Sequence, residues 1–308
     1  MKKLIKKFDF VIILSILFNL CSFVFASEVE KILQIQNKYF QKLYSAEFSS
    51  KVAVSNTEEI MKLQKLPINK FESGMNFILK GTKYRSEVPM GDGKGRYVSL
   101  YNGEKYQFLE IRNKSILFVS SNNLQSQNPY NGLNPLLVPF MFVFQKGDAI
   151  NIETLQKPDI WLRLTKEAVT TQNTEKFGHK GINIIFYKKT DFRSGKEENY
   201  EVFFAEDLNY FPIYWKGTDH LTMTFTETKV LETKIFEKES GSIVIPIRIE
   251  VKAYFENGKL AQTSNVEIDI NTLKINQPVR DEVFTIPISQ VDRVYDADLD
   301  MWFEPNKK

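Results

Sequence analysis

Few residues of this chain have both the type and the spacing that catalysis or metal binding needs. The two histidines, His179 and His220, lie beside turn residues, and neither has a second histidine or a cysteine at ligand spacing. No Gly-x-Ser-x-Gly elbow marks a serine nucleophile. Carboxylate pairs that meet in space leave hydrolysis open as a hypothesis, but no pair stands out. We therefore predict solvated turn histidines, no catalytic residue and no enzyme.

Two short segments imitate ligand-binding loops. Segment 296–300 has the aspartate spacing that opens a calcium loop, but Met301 replaces the required glycine and Lys307 replaces the bidentate glutamate. The glycine-rich segment 91–95 lacks the Ser or Thr and the following helix of a phosphate loop. We predict that the first is part of a solvated acidic tail, residues 291–308, and that the second is a hairpin tip. No metal ion and no cofactor are expected.

The first 26 residues predict export. Four lysines precede an almost continuous apolar run, residues 11–25, which ends at Ala26 in a small-residue cleavage pattern. The run is short for a bilayer span, which favours cleavage after Ala26 over an uncleaved anchor. Cys21 follows Leu20 and not the small residue that lipoprotein processing needs. The sequence thus predicts a periplasmic protein whose mature chain begins at Ser27.

The export segment also accounts for the net charge and for the cysteine. The chain has 41 basic and 38 acidic residues, and removal of the four lysines and Asp9 leaves 37 of each. A neutral mature chain offers no basis for nucleic-acid binding. Cys21 is the single cysteine of the sequence. The mature chain is therefore expected to have no disulfide, no thiol nucleophile and no thiolate metal site.

Hydrophobic periodicity predicts one helix and then strands. Ser27 and Glu30 have capping-box spacing, and apolar residues recur at helical spacing over residues 27–45, which predicts an amphipathic helix there. The residues on or beside its apolar face are Val29, Ile32, Leu33, Gln36, Tyr39, Phe40, Leu43 and Tyr44. Beyond it apolar and polar residues alternate, first over residues 75–80. Asn102-Gly103 is typical of a tight hairpin turn in which both residues have positive φ.

The middle and the second half of the chain complete a sheet. Residues 136–144 are apolar on every side, so this short segment must be buried or cover a cavity. Apolar and polar residues then alternate in five segments: 182–186, 200–204, 221–225, 247–255 and 266–270. Turns at hairpin distances separate them, which is typical of an antiparallel meander with one apolar and one solvated face. Such a long sheet curls, and its apolar face needs a cover.

The apolar content leaves two interpretations of the interior open. With 25 Phe and 13 Tyr, the chain supplies more aromatic surface than one sheet face needs, which favours a lined hydrophobic cavity. A filled core explains the same periodicity. We expect one continuous domain over residues 27–290 in either case.

A series of short motifs runs along residues 27–290 in a definite order. They are Phe77-Ile78-Leu79-Lys80, Tyr84-Arg85, Tyr101-Asn102-Gly103-Glu104-Lys105-Tyr106, Asn134-Pro135-Leu136-Leu137, Asn209-Tyr210-Phe211-Pro212, Ile275-Asn276-Gln277-Pro278-Val279 and, after Asp281, Phe284-Thr285-Ile286-Pro287. With the signal peptide and the amphipathic helix before them, this order resembles the LolA/LolB-type lipoprotein-carrier superfamily. Two features depart from it, since Lys80 is followed by Gly81 where the carriers have proline, and the chain continues past Pro287.

The resemblance implies a mainly β (α+β) fold: an incomplete antiparallel β-barrel, or curved meander sheet, with the N-terminal amphipathic helix and a short apolar helical lid on the concave face. In such a protein the helices move aside to admit acyl chains. We therefore expect a periplasmic, non-enzymatic carrier or binding protein for lipids or lipoprotein acyl chains. It is expected to be a monomer, with a membrane transporter or an outer-membrane acceptor as a further candidate partner. An envelope sensor that binds a protein partner with the same fold is the alternative.

Nine residues are predicted to line the cavity or to form the lid. They are Phe77, Leu79, Tyr84, Tyr106, Phe108, Leu136, Leu137, Phe140 and Phe142.

Overall fold

The computed structural model describes residues 27–64, 69–90, 94–121, 134–144, 152–188, 198–219, 224–237, 241–255 and 257–305. The predicted signal peptide, His220 and most of the glycine-rich segment 91–95 lie outside these ranges, so the predictions made for them are untested. Among the described residues, no helix is long and apolar enough to cross a membrane.

The described chain begins with a helix, α1, over residues 27–42. Seven of the eight residues predicted for its apolar face are at most 7% exposed, whereas Tyr44 is 52% exposed. The predicted end at residue 45 is wrong, because Ser45 already begins the first strand. Asn276 explains the early end. Its side-chain oxygen accepts the N–H of Tyr44 at 3.0 Å and its amide nitrogen donates to the carbonyl of Lys42 at 2.7 Å, so a distant residue satisfies the end of the helix.

The first strands form an antiparallel meander. They are β1 (Ser45–Asn56), β2 (Lys70–Lys80), β3 (Lys83–Pro89), β4 (Arg96–Tyr101), β5 (Tyr106–Ile111) and β6 (Ser115–Ser120), with a short helix α2 (Glu58–Gln64) after β1. The predicted hairpin joins β4 to β5, but only Gly103 has positive φ, at 101°. The side chain of Asn102 instead accepts the N–H groups of Glu104 and Lys105 at 2.9 and 2.8 Å. The turn is therefore longer than predicted and closes on an Asn side chain.

Three short helices and a second antiparallel meander follow. The 3-10 helix Val138–Val143, which we call the lid helix, precedes α3 (Ile152–Gln156) and α4 (Pro158–Glu167). The strands are β7 (Ala168–Lys176), β8 (His179–Lys188), β9 (Glu198–Ala205), β10 (Phe211–Asp219), β11 (Thr224–Phe236), β12 (Ile243–Tyr254) and β13 (Leu260–Ile268). At the start of β11, the prediction that Phe225 lies on the buried face of the sheet is wrong. Phe225 is 38% exposed, whereas Thr226 and Thr228 take the buried positions at 4% and 1%.

The two meanders join through β1 and β13 into one curved antiparallel sheet. Its described part has 16 strands, in the order β16-β15-β6-β5-β4-β3-β2-β1-β13-β12-β11-β10-β9-β8-β7, with β14 (Lys274–Ile275) beside β1. The two ends of this order do not pair with each other among the described residues. The predicted fold class, an incomplete antiparallel barrel with a helical cover, is confirmed.

The C-terminal segment, residues 276–303, ends in two short strands within the predicted acidic tail, and residues 297–303 are exposed. Strand β15 (Arg293–Asp296) pairs in parallel with β6, and β16 (Met301–Phe303) pairs antiparallel with β15. Parallel pairing requires a long crossover. The connection from β6 to β15 spans residues 121–292, and in its last part Ile286 and Val291 are buried against β4 to β6. The domain boundary at residue 290 stays a prediction.

At this end of the sheet the buried apolar side chains lie on the face opposite to the helices. We call the face that packs on α1 and the lid helix the inner face. On the outer face of β4 to β6, a second cluster is formed by Val98, Leu100, Leu109, Leu117, Val119, Ile286, Val291 and Val294. The one-sided pattern predicted for the second half of the chain therefore does not extend to these strands.

The lid helix shows how strongly the sheet curls. Leu137, just before the helix, shares a crevice with Tyr84 of β3, and Phe142 near its end contacts Phe204 of β9 with ring centroids 6.1 Å apart. Seven strand-to-strand steps separate β3 from β9, which is about 34 Å in a flat sheet. The chain from residue 137 to 142 spans only about 10 Å. The sheet therefore wraps around the lid helix.

Candidate functional site

The lid helix fills the concave side of the sheet with two phenylalanines. Phe140 lies between α1 and β10, with ring centroids 4.6 Å from Phe40 and 5.4 Å from Phe211. Phe142 lies 6.0 Å from Phe186 of β8, besides its contact with β9. Both lid phenylalanines are 0% exposed. They occupy the space that a guest molecule on the inner face would take.

Side-chain hydrogen bonds attach the lid helix to its surroundings. The indole of Trp215 donates to the carbonyl of Val138 at 3.0 Å, and the guanidinium of Arg163 donates to the carbonyl of Val143 at 2.8 Å. Pro139 has no N–H to contribute. Asn134 shapes the approach, because its side-chain oxygen accepts the N–H of Leu136 at 3.1 Å. These hydrogen bonds are fewer than the ladder of backbone hydrogen bonds that holds a strand in a sheet.

Helix α1 closes the interior beside the lid through buried polar contacts. The Tyr39 hydroxyl donates to the carbonyl of Val244 at 2.8 Å, and burial raises the pKa of Tyr39 well above its ordinary value. Gln36, predicted on the apolar face, donates to the carbonyl of Tyr210 at 2.7 Å. Because each of these buried donors has an acceptor, α1 can lie on the apolar face without a stranded polar group.

A narrow crevice separates the lid from the β2–β3 hairpin. It is lined by Phe77, Leu79, Gly81, Thr82, Lys83, Tyr84, Ser86, Asn134, Leu137 and Ile152. Its volume is about 20 Å³, room for about one water. Of the two interpretations of the interior that the sequence left open, the described residues around this crevice favour the filled core.

Beyond the crevice, the inner face carries a band of partly exposed aromatic side chains. We call this band the aromatic platform; its members are Tyr97, Tyr101, Tyr106, Phe108, Phe118, Tyr295 and Trp302. Ring centroids are 4.4 Å apart in the stacked pair Tyr101–Tyr106 and 5.4 Å apart in Tyr97–Phe108. Trp302 at the sheet edge is 47% exposed. The platform is an apolar surface that the lid helix does not cover.

The crevice and the platform are continuous. Leu79 pairs across the strands with Tyr84, Tyr84 with Tyr101, and Tyr101 with Tyr106. Direct cross-strand partners point to the same face of a sheet. Burial raises the pKa of Tyr106, with smaller contributions from Tyr101 and from Glu153 of α3. One apolar row therefore runs from Leu79 in the crevice to Tyr106 of the platform.

The nine predicted site residues all lie on the inner face or in its cover. Phe77, Leu79, Tyr84 and Leu137 meet in the crevice. Tyr106 and Phe108 belong to the platform, whereas Leu136, Phe140 and Phe142 are buried in or beside the lid helix without lining the crevice. Their role in ligand binding stays a prediction.

Sequence reasoning missed several residues of this surface. Alternation along β3 and β4 carries the signal for Tyr97 and Tyr101, which share the parity of Tyr84 through the hairpin register. No local pattern could have placed Tyr295 and Trp302, because they reach the platform through the parallel pairing of β15 with β6. Lys83 was missed because a charged turn residue gives no sign that it borders an apolar crevice.

The residues that the sequence analysis considered for catalysis or metal binding contact neighbouring residues of the fold. His179 lies 2.8 Å from a carboxylate oxygen of Asp207, so it is paired and not simply solvated. Asp298 accepts the backbone N–H of Ser121 at 2.8 Å, and Asp300 accepts the hydroxyl of Tyr295 at 2.6 Å. Within the described ranges no group of three or more His, Cys, Asp or Glu residues could hold a metal ion.

No family model and no curated protein matches the sequence. Three solved structures that are similar to this chain have TM-scores below 0.5. A DUF1329 family protein from Desulfovibrio piger has a TM-score of 0.48 at 8% identity, over 84% of this chain and 97% of that one. A putative outer membrane lipoprotein-sorting protein domain from Vibrio parahaemolyticus has a TM-score of 0.47 at 10% identity, over 84% and 97%. The lipoprotein LppX from Mycobacterium tuberculosis has a TM-score of 0.30 at 8% identity, over 82% and 98%.

The description of the second of these structures names the class of protein that the sequence motifs resemble. The likeness concerns fold alone. Function is therefore argued from the geometry of this chain.

Proposed function

We propose that this protein binds the acyl chains of lipids or lipoproteins on the inner face of its sheet and carries them through the envelope. The observation that carries the proposal is the continuous apolar row from Leu79, which is buried in the crevice, to Tyr106, which is half-buried in the platform. A carrier needs apolar surface on which an acyl chain can lie, and this row extends from the crevice to the partly exposed aromatic platform.

The energetics favour such a site. An acyl chain gains about 0.8 kcal/mol for each methylene removed from water, so about a dozen methylenes contribute about 10 kcal/mol. Release of the lid costs the hydrogen bonds from Trp215 and Arg163, at about 1 kcal/mol each. It also exposes Phe140 and Phe142, but an acyl chain in their place restores much of that apolar contact. The free energy gained by burying an acyl chain therefore offsets the free energy lost when the lid helix is released.

The small crevice requires that the lid moves. A cavity of about 20 Å³ cannot hold an acyl chain, so we propose that a chain enters along the crevice and displaces the lid helix. The platform then extends the binding surface toward the open end of the sheet.

Lipid extraction tests the proposal directly. The mature chain is expressed in a host with membranes, purified without detergent and extracted with organic solvent for mass spectrometry. We expect lipid in stoichiometric amount, and uptake of a fluorescent fatty acid by the delipidated protein. An extract that contains no lipid, together with no uptake of the fluorescent fatty acid, contradicts the proposal.

A pair of tyrosine variants tests the place of binding. Tyr84→Ser removes an aromatic ring from the crevice and should weaken uptake of the fluorescent fatty acid. Tyr187→Ser is the matched control, because Tyr187 is also half-buried but lies next to the inner-face residue Phe186, hence on the outer face. Equal uptake by both variants argues against the crevice as the binding site.

One observation favours a second candidate, an interaction protein that binds a protein partner. Among the described residues, strand β7 ends the sheet, and five of its nine residues are exposed. An open edge of this kind can accept an added strand from another chain. If the protein binds a partner through this edge, a prolyl substitution in β7, such as Thr171→Pro, should abolish partner capture and leave fatty-acid uptake intact. If it is a lipid carrier only, the same substitution should have no effect on lipid delivery.

We propose a periplasmic location after cleavage at Ala26 and a non-enzymatic role. Fractionation of cells that produce the full chain, with sequencing of the mature N-terminus, tests the first. A membrane transporter or an outer-membrane acceptor is the docking partner that a carrier of this kind needs.

A further inference from the structure

A buried hydroxyl without a hydrogen-bond partner lies on β11. Thr228 is only 1% exposed, and its hydroxyl oxygen has no hydrogen-bond partner in the part of the chain that the structure describes. Buried polar groups of native proteins are nearly always paired, because an unpaired group loses its hydrogen bonds to water without replacement. The unpaired hydroxyl of Thr228 therefore needs an explanation other than packing.

Thr228 lies next to the donor that holds the lid helix. It is the direct cross-strand partner of Trp215, and side chains in such a pair point to the same face with Cβ atoms about 5 Å apart. The lid helix packs against both β10 and β11, and its Val138 carbonyl accepts the indole N–H of Trp215 at 3.0 Å. Two hydrogen-bond donors therefore lie side by side where the lid covers the inner face, one engaged by the lid and the other unpaired.

The two donors define the group that a ligand must bring when the lid moves aside. An indole N–H can only donate, and a carbonyl oxygen has two lone pairs, so one carbonyl oxygen can accept from both Trp215 and Thr228. A hydrocarbon in the place of the lid would leave both donors unpaired. The cross-strand partners of Thr228 are Trp215 and Val251, neither of which is a cation, so a carboxylate there would be a buried charge without a counter-charge. The position therefore suits a neutral carbonyl, as the Val138 carbonyl is.

We propose that Trp215 and Thr228 form a subsite for the ester carbonyl of an acylated ligand, and that the Val138 carbonyl of the lid helix occupies this subsite when no ligand is bound. The inference rests on the proposed function, because it requires that an acyl chain displaces the lid. It adds the ligand class, neutral acyl esters, which glycerolipids and diacylated lipoproteins share. It also names the two residues that select this class over plain hydrocarbon.

Fluorescence titration of the purified mature protein tests the inference. The probes are a pyrene-labelled fatty acid methyl ester and an alkylpyrene of the same chain length, which differ in the ester group alone. The wild-type protein should bind the ester about fivefold more tightly than the alkylpyrene, as expected for one or two neutral hydrogen bonds. Thr228→Val and Trp215→Phe should each reduce this ratio toward one. The ratio is the readout, because a looser lid changes both affinities equally.

Thr228→Val also separates the inference from a loss of folding. Valine has the shape of threonine without the hydroxyl, so the variant removes an unpaired buried group and should raise the denaturation midpoint. Ser50→Ala is the matched control. Ser50 is also buried, at 4% exposure, with an unpaired hydroxyl, but its cross-strand partners Met75 and Ile268 have no side-chain donor. This variant should raise the midpoint and keep the full preference for the ester.

The outcomes distinguish the inference from the proposed function. Equal binding of the two probes by the wild-type protein overturns the inference and leaves the proposed function standing, as does a full ester preference in Thr228→Val. No binding of either probe by the wild-type protein overturns both. A diacylglycerol and a diacylated lipopeptide then compete for the labelled ester. Displacement by either supports the subsite, and the stronger competitor identifies the source of the ester, whereas displacement by neither overturns the inference.

Discussion

The indole nitrogen of Trp215 donates a hydrogen bond to the carbonyl oxygen of Val138 across 3.0 Å. Trp215 belongs to β10 and is 2% exposed, and Val138 opens the lid helix. The bond therefore ties the lid helix to the sheet that it covers. Removal of the indole donor would take this hydrogen bond from a carbonyl oxygen of a buried residue.

Trp215→Phe should loosen the lid. The change keeps an aromatic ring but removes the donor, and loss of a buried hydrogen bond costs about 1–2 kcal/mol of unfolding free energy. If the lid gates the inner face, fatty-acid uptake should also become faster. Stopped-flow fluorescence measures the rate, and denaturant titration measures the stability.

Trp161→Phe is the control for this effect. Its indole nitrogen donates to the carbonyl of Leu155 at 2.7 Å, so this hydrogen bond joins α3 to α4. Its ring also lies 6.4 Å from that of Phe140 in the lid helix, and the substituted phenylalanine keeps an aromatic ring at this contact. We expect a similar loss of stability with an unchanged uptake rate. Equal acceleration by both variants would mean that general destabilisation, and not release of the lid, admits the ligand.

Phe142→Ala should open a cavity under the lid. Removal of a fully buried phenylalanine costs about 3–5 kcal/mol. Because the vacated space adjoins Phe186 and Phe204, an acyl chain should fill it and restore part of the lost stability, as binding to the native state does by linkage. Thermal unfolding with and without fatty acid measures both quantities.

Phe284→Ala is the comparison for the cavity variant. Phe284 is also 0% exposed but lies in the C-terminal segment, away from the lid helix. It should lose comparable stability and gain no more from fatty acid than the wild-type protein does. If fatty acid rescues Phe284→Ala as well as Phe142→Ala, the rescue does not report a site under the lid.

Local periodicity sufficed for much of the fold and for part of the site. The 3.6-residue pattern identified the buried face of α1, and alternation along β2 correctly placed Phe77 and Leu79 on the inner face. These features depend on neighbours within one element, so a single segment contains the information. The apolar residues 136–144 were correctly predicted to be buried, because a segment without a polar face has no alternative.

Features set by distant residues could not be predicted in this way. Helix α1 ends early because Asn276, more than two hundred positions away, binds its last carbonyl. Strand β15 pairs in parallel with β6 only after residues 286–291 have packed on the outer face of β4 to β6. At Phe225 the alternation pointed to the wrong face, since neighbours in the sheet decided which residues of β11 are covered.

Gly217→Ala should destabilise the sheet by about 1–3 kcal/mol through overpacking. A Cβ at Gly217 would lie 2.4 Å from the ring of Tyr200, and this ring is only 1% exposed, so it has no free space into which to move. Gly74→Ala is the control, because a Cβ there meets nothing within 4 Å. It should be neutral or slightly stabilising. Equal denaturation midpoints for both variants would contradict the close packing of Tyr200 on β10.

Acid should release the C-terminal segment before it unfolds the sheet. The pKa of Asp292 is lowered by hydrogen bonds from the backbone and hydroxyl of Ser115, and that of Asp298 by the backbone N–H of Ser121. A carboxyl whose folded pKa lies below its unfolded value of 3.8 stabilises the fold fully above that value. This contribution is lost as the pH falls through the lower folded pKa.

Hydrogen exchange as a function of pH measures this release. Below about pH 4, after correction for the intrinsic exchange rate, protection of the Ser115 and Ser121 amides should fall while amides of β11 and β12 stay protected. Asp292→Asn with Asp298→Asn should weaken protection of the two serine amides already at neutral pH and flatten the acid dependence, because the neutral amides cannot titrate. Loss of protection at the same pH in all these strands would show that the segment does not detach on its own.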